Sequence, residues 1–297
     1  MRRPRIAIVT CFGYNAHKAD DKLLREALQA RDAEAVNVIW DDRRVEWGGF
    51  DLCLVSSTWD YDDKHQQFLE WTRRVEAESV LRNPAELIAW NSEKTYLREL
   101  GEQGVPVIPT VWVEPDAGGD AEAILAERGW EVAVVKPVVD LGGRHLRLAR
   151  IGDGEAQANL EKVLARGEAM VQPFLPSLET DGELSLIFID GEFSHGVRKR
   201  PARDEFRVQS AWGGTAEREE PGEAEREVAD LALSRLAEAP LYARVDLVAG
   251  LEGEPLLIEL ELIEPNLHLD AYPFAAWVLA KAALLRVDVD AERDVLE

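Results

Sequence analysis

Three carboxylates late in the chain, Asp246, Glu259 and Glu261, stand where one short hairpin would gather them. Residues 241–249 and 255–263 are β-rich runs, and the paired glycines of Gly250-Leu251-Glu252-Gly253 suit a tight turn between them. A four-residue loop puts Arg244, Asp246 and Val248 on one face with Leu257, Glu259 and Glu261. Val245, Leu247, Ile258, Leu260 and Leu262 then fill the other face. Like charges set along and across a strand pair repel. A hard cation such as Mg²⁺ relieves that repulsion, taking carboxylate oxygens while keeping waters and substrate phosphates as further ligands. A solvated sheet face carrying acids is the plainer reading, and the features upstream argue against it.

Those features are basic or glycine-rich. Lys136 closes the apolar run Val132-Ala133-Val134-Val135, a poor place for an ammonium unless it reaches water or an anion. Gly142-Gly143-Arg144 follows and a strand resumes at Leu146, an arrangement whose backbone amides can close over phosphates. Residues 183–190 and 192–199 form a second hairpin around Asp190-Gly191, ending in Arg198, Lys199 and Arg200. Positive charge concentrated in an acidic chain reads as a clamp on phosphate and carboxylate, or more plainly as a solvated strand end.

The elements that must carry these groups follow a β-α-β rhythm at the start. Residues 5–10, 36–40 and 50–56 read as strands, with helices over 20–31 and 66–78, which argues for a small parallel α/β sheet. The first turn, Cys11-Phe12-Gly13-Tyr14, lacks the glycine spacing of a dinucleotide site. Ligands of such sheets gather beyond the strands' carboxyl ends, which singles out Thr10, Cys11 and Ser57-Thr58-Trp59-Asp60-Tyr61 for a small polar substrate. A capped helix start with Trp59 packed as core is the competing reading. Residues 86–103 carry helical spacing with Lys94 inside. An acidic seam at 114–120 separates lobes, and the prolines in Met170-Val171-Gln172-Pro173-Phe174-Leu175-Pro176 suit a crossing between lobes rather than a place within a sheet.

Composition narrows the classes. The 297 residues are enough for two domains, and a formal charge of −23, from 57 acids against 34 bases, argues against a nucleic-acid surface. Cys11 and Cys53 lie in apolar runs and read as reduced core thiols, Cys11 being a weak candidate nucleophile. The five histidines, at 17, 65, 145, 195 and 268, have no zinc spacing. No apolar run reaches membrane-helix length and none reads as a signal peptide, so no membrane partner and a cytoplasmic location are expected.

In this order the features resemble the ATP-grasp superfamily, with the glutathione synthetase type of ATP-binding domain. STWDY at 57–61, WNSEKTYL at 90–97, MVQPFLPS at 170–177, GELSLIFIDGEFSHGVRKRP at 182–201, LYARVDLV and ELELIEP are most similar to the O-ureido-D-serine cyclo-ligase group. The resemblance implies an α/β (α+β) ATP-grasp fold: a small parallel domain at 1–112, a lid subdomain at 113–178 and a metal-bearing subdomain at 179–297. It implies ATP with two Mg²⁺, Mn²⁺ being an alternative, and a small amino-acid-like substrate, on a monomer or homodimer. By position, Lys94 and Lys136 would contact phosphates, residues 138–148 with Gly142 and Gly143 would form the lid, and Gln172, Pro173, Phe174 and Leu175 the adenine hinge. Glu179 or Glu183 would hold the ribose, Arg198 would stabilise acyl-phosphate formation, and Asp246, Glu259 and Glu261 would bind the metals. Thr10, Thr58, Trp59, Asp60, Arg200, Gly213 and Gly214 are the expected substrate contacts. Two features depart from the pattern: Glu-Leu-Glu replaces the common Glu-x-Asn on the last strand, and the lid holds fewer glycines and serines than most.

The implied reaction is carboxylate–amine ligation through an acyl phosphate, intermolecular or within one molecule. A small-molecule kinase would share the ATP site but yield a stable phosphorylated product without an amine. A non-catalytic nucleotide-binding protein would bind ATP without magnesium-dependent turnover.

Overall fold

Alternating apolar residues and short glycine turns build three sheets, seen in a computed structural model that describes residues 2–13, 19–116, 118–203 and 205–293. Tyr14 and His17 lie outside the described residues. The first sheet is parallel, in the order β2-β1-β3-β4, from β1 (Arg5–Thr10), β2 (Glu34–Ile39), β3 (Leu52–Ser57) and β4 (Leu81–Arg82). Its near-continuous apolar strands are covered on one face by α1 (Ala19–Gln29) and on the other by α2 (His65–Glu78), as parallel sheets require. Trp40, Trp47, Phe68 and Trp71 close the α2 side with edge and stacked ring contacts 5.3–5.9 Å apart.

The helical stretch expected over 86–103 is two helices, α3 (Ala85–Asn91) and α4 (Tyr96–Glu102). Tertiary bonds break it. The Asn91 carboxamide donates to the Leu260 carbonyl and accepts from Leu262 N–H, each at 2.8 Å, while the Lys94 amide donates to Val138 O at 2.9 Å. Lys94 therefore sits in the break and not within a helix.

The second sheet is antiparallel, ordered β5-β8-β6-β7, from β5 (Val111–Val113), β6 (Val132–Pro137), β7 (Arg147–Arg150) and β8 (Ala169–Pro173), with α5 (Ala121–Arg128) and α6 (Ala156–Leu164) packed on it. The 112/113 boundary thus falls inside β5. The segment expected to cross between lobes is instead an interior strand, because Pro173 is its last residue and costs the ladder little there. Pro176 lies beyond it, immediately before the short α7 (Ser177–Thr180).

The third sheet, ordered β11-β10-β9-β12-β13, is also antiparallel. It comprises β9 (Glu183–Ile189), β10 (Glu192–Arg200), β11 (Thr215–Arg218), β12 (Tyr242–Ala249) and β13 (Pro255–Glu261). On one face Leu184, Leu186, Phe188, Val245 and Leu260 bury against α8 (Glu223–Leu233). On the other, Ile187, Ile189, Val197 and Tyr242 join α9 (Phe274–Arg293) and α1 in one core, fastening this sheet to the parallel one. The late hairpin pairs Arg244 with Glu261, Val245 with Leu260 and Asp246 with Glu259. Beyond Asp246 the register shifts at a bulge, so Leu257 lies opposite Leu247 and shares its apolar face, not that of Val248. No described helix is long and apolar enough to cross a membrane.

Candidate functional site

The face of the third sheet that continues beyond the apolar core toward the second sheet is charged. Strand alternation puts Glu183 and Ser185 of β9, Lys199 of β10, Arg244 and Asp246 of β12, and Glu259 and Glu261 of β13 on it together. Asp246, Glu259 and Glu261 each present an oxygen within 4.8 Å of the others. An all-carboxylate set of this size fits a hard divalent cation.

Each acid is held by a cation. Asp246 accepts from Arg244 Nε at 2.9 Å and Nη2 at 2.8 Å, from Lys199 Nζ at 3.2 Å and from Ser185 Oγ at 2.5 Å. Burial works against its charge, but Arg244 and Lys199 outweigh burial and hold its carboxyl far below the usual range. Glu259 meets Lys94 Nζ at 3.0 Å, and Lys94 with Lys136 likewise overcomes burial to keep it ionised. Glu261 also pairs with Arg244, yet burial and the neighbouring Glu259 and Asp246 push it up to about 7. Glu183 pairs with Lys199 and is pushed up to about 8, chiefly by burial. The site is an interleaved lattice of acids and bases whose charge balance a metal and an anion would alter together.

Lys136, on β6 of the facing sheet, is 7% exposed, and no described residue gives its ammonium a hydrogen bond or ion pair. Burial pulls its affinity for the proton down, and Glu259 partly restores it. Lys94, across the cleft, donates to the Asp140 carbonyl at 2.6 Å, and burial is offset there by Glu259 and Asp140. The structure thus brings Lys94, Lys136, Glu183, Asp246, Glu259 and Glu261 to one cleft.

Arg198 is not among them. It lies on the opposite face, its Nε and Nη2 3.0 and 2.7 Å from Glu219 Oε1. A bulge between Phe193 and His195 is the cause. Uninterrupted pairing of the β9–β10 hairpin would set Arg198 opposite Glu183, and the extra residue puts Lys199 there instead. Arg200 is exposed and, among the described residues, pairs with Glu217 and Glu219 at 3.9 and 3.5 Å.

In the loop expected to act as a lid, Gly142 and Gly143 have φ of 63° and 65°, a turn that other residues resist. Arg144 ties this loop to Asp62 of the first domain, and Trp212 Nε1 donates to Gly142 O at 3.0 Å. At the far end of the cleft, Gln172 donates to Thr110 Oγ1 at 2.9 Å, the Phe174 amide donates to Val132 O at 3.0 Å, and Leu175 is buried. Glu179 is exposed on α7, whereas Glu183 faces the acids. Gly213 and Gly214 lie in the loop beside the lid, and a Cβ on Gly214 would come 2.0 Å from Val208 O.

At the ends of β1 and β3, Thr10 Oγ1 accepts from Ser57 Oγ at 2.8 Å, and Thr58 is fully buried with its hydroxyl unpartnered. Trp59 Nε1 donates to Glu264 O at 3.0 Å. Asp60 corrects an expectation: its carboxylate takes Trp40 Nε1 and Lys64 Nζ, each at 2.8 Å, and so stabilises the aromatic core rather than a ligand. Cys11 and Cys53 are buried free thiols, Cys53 being pushed up to about 12 by burial, which leaves it inert. A cavity of about 530 Å³ lies elsewhere, in a groove beside Trp40, Trp47 and Trp71 away from every acid of the site.

Nothing in the sequence reading singles out Glu264, three positions after Glu261. It is buried, and burial, then Glu261, raises its carboxyl well above the usual range. The Glu-Pro dipeptide ending the hairpin was its one visible signal.

Comparison with known proteins follows this geometry. Residues 6–83 match the family described as D-cycloserine synthetase DcsG, N-terminal domain, and residues 117–264 match the prokaryotic glutathione synthetase ATP-grasp domain. The chain is 32% identical over 257 residues to the cycloserine biosynthesis protein DcsG of Streptomyces lavendulae, covering 77% of this chain and 81% of that one. It is 34% identical over 184 residues to a glutathione synthetase of Parasynechococcus marenigrum, covering 59% and 55% respectively. The crystal structure of D-cycloserine synthetase DcsG aligns with a TM-score of 0.86 at 30% identity, covering 95% of this chain and 99% of that one. A D-alanine–D-alanine ligase from Bacillus anthracis complexed with ATP shares the fold, with a TM-score of 0.70 at 14% identity over 98% and 100% of the two chains.

Proposed function

This chain belongs to the ATP-grasp family of ADP-forming ligases, alongside the cycloserine biosynthesis protein DcsG, and on that premise we propose that it closes a ring within one small amino-acid-like molecule. The substrate carboxylate attacks the γ-phosphorus of ATP and ADP departs. A nitrogen of the same molecule then attacks the acyl carbon and expels phosphate. O-ureido-D-serine is the substrate to which this reading commits.

One observation carries the assignment of the cleft: a buried lysine, Lys136, with no hydrogen bond or ion pair from the described residues, opposite three acids that converge within 4.8 Å. A polyanion with bound cations satisfies both at once. Asp246, Glu259 and Glu261 would hold two Mg²⁺ ions, which supply charge neutralisation at the phosphate oxygens. Lys136 and Lys94 place fixed, largely buried positive charge against the transferred group. Lys199 and Arg244 keep Asp246 ionised for its role. The position first given to Arg198 passes to Lys199 and Arg244, the cations on the reacting face. Residues 172–175 would border the base and Glu183 the ribose. The lid at 138–148 would close over the phosphates, and Thr10, Thr58 and the loop holding Gly213 and Gly214 would contact the substrate.

The test is ADP release with Mg²⁺ from O-ureido-D-serine, single amino acids and dipeptides, with Glu259→Gln as control. Turnover of O-ureido-D-serine alone, abolished in the variant, is expected. Turnover requiring a separate amine favours an intermolecular ligase, and a stable phosphorylated product favours a kinase.

A further inference from the structure

Glu264 is 5% exposed, and no described residue donates a hydrogen bond to its carboxyl. An acid taken out of water without a donor is costly, and such groups persist where a ligand completes them. It stands outside the metal cluster, since the acids whose oxygens converge are Asp246, Glu259 and Glu261. It lines a small pocket of about 20 Å³ with Tyr61, Ser92, Lys94, Glu259 and Glu261. That volume admits one water or one ammonium head and nothing larger.

Trp59 fixes the backbone of this position, its Nε1 donating to the Glu264 carbonyl at 3.0 Å. A carboxyl with no donor from the described residues, lining an ammonium-sized space, matches the donors of a primary ammonium, whose charge would hold that carboxyl ionised. We infer that Glu264 binds the ammonium of the substrate and makes a free amine a condition of recognition. The inference rests on the ligase reading, because it takes the substrate to be an amino acid lying between the parallel sheet and the metal face. Glu264 acts by orientation: pinning the ammonium fixes which way the carboxylate points toward the nucleotide.

Calorimetry on the protein saturated with Mg²⁺ and a non-hydrolysable ATP analogue tests this without turnover. The titrants are matched pairs: O-ureido-D-serine with 3-(ureidooxy)propionate, and D-serine with 3-hydroxypropionate. The parent is expected to bind the amine-bearing member at least about 100-fold more tightly, and Glu264→Gln to lose most of that preference while binding the nucleotide as the parent does. Glu264→Asp, which keeps the charge and shortens its reach, should retain an intermediate preference, and it serves if the glutamine variant fails to fold. A preference unchanged in the glutamine variant, no preference in the parent, or a parallel loss of nucleotide affinity overturns the inference. Amine-selective binding without ADP release from ATP would instead sink the ligase reading and leave this one standing.

Discussion

Arg198 and Lys199 are neighbours on one strand with opposite surroundings. Arg198 joins the α8 side of the third sheet, where an apolar layer is rimmed by a conventional ion pair to Glu219. Lys199 joins the cleft side, where it is buried between Glu183 and Asp246. The first face is built for stability: Leu184, Leu186, Phe188, Val245 and Leu260 remove apolar area from water. The second spends stability, because it desolvates acids and bases that pair mainly with one another. One sheet thus separates folding energy from chemistry by the alternation of its side chains.

The sharpest way to break this contrast is Glu259→Gln. ADP release should fall by about 10³-fold or more, since the change removes a proposed metal ligand and the partner of Lys94 together. Activity near the parent's would remove the metal assignment. Lys199→Ala should cost about 3–5 kcal/mol in urea unfolding, because Glu183 and Asp246 stay buried without their shared cation. Leu186→Ala, on the other face, should cost about 2–5 kcal/mol while leaving the Michaelis constant for ATP unchanged.

Acidity offers a gentler probe. Glu183 and Glu261 hold protons up to about 8 and 7, so the folded protein binds more protons than the unfolded chain above the ordinary carboxylate range. Stability of the ligand-free protein should therefore decline from about pH 7 to 8, where unfolded histidine is mostly neutral and the opposing slope of the buried His65, His195 and His268 has faded. Mg²⁺ with an ATP analogue should flatten that slope in thermal melts by favouring the ionised acids. Smallest of all, Arg198→Ala should cost about 1 kcal/mol and change turnover less than about threefold, since its pair with Glu219 lies away from the cleft. A turnover loss there matching that of a Lys199 variant would erase the distinction between the faces.

How far the sequence announced this arrangement varies with the kind of information. The three acids of the late hairpin were legible because strand alternation and paired glycines are local. So were the parallel start, the lysine ending β6 and the Gly142-Gly143 turn. The bulge at Ile258 was not, because distant chain creates it: Leu257 N–H donates to Pro106 O at 2.7 Å and Leu257 O accepts from Ile108 N–H at 3.3 Å. Nor was the bulge at Ser194, an irregularity of one residue that sets Lys199 and not Arg198 opposite Glu183. The break before Lys94 depended on Asn91 finding β13, and the sequestering of Asp60 depended on Trp40 and Lys64. At Leu257, Lys94 and Asp60 the local pattern was sound and a non-local hydrogen bond overruled it.

The break between α3 and α4 gives one residue two attachments to the same loop: the amide of Lys94 holds Val138, and its ammonium holds the carbonyl of Asp140. A guest that drew the ammonium away would leave Lys94 holding the loop's root by its amide alone, beside the bond from Val138 N–H to Glu168 O. The looseness of that root is therefore a readout of whether anything anionic has arrived, written into the backbone and not into a hinge of its own.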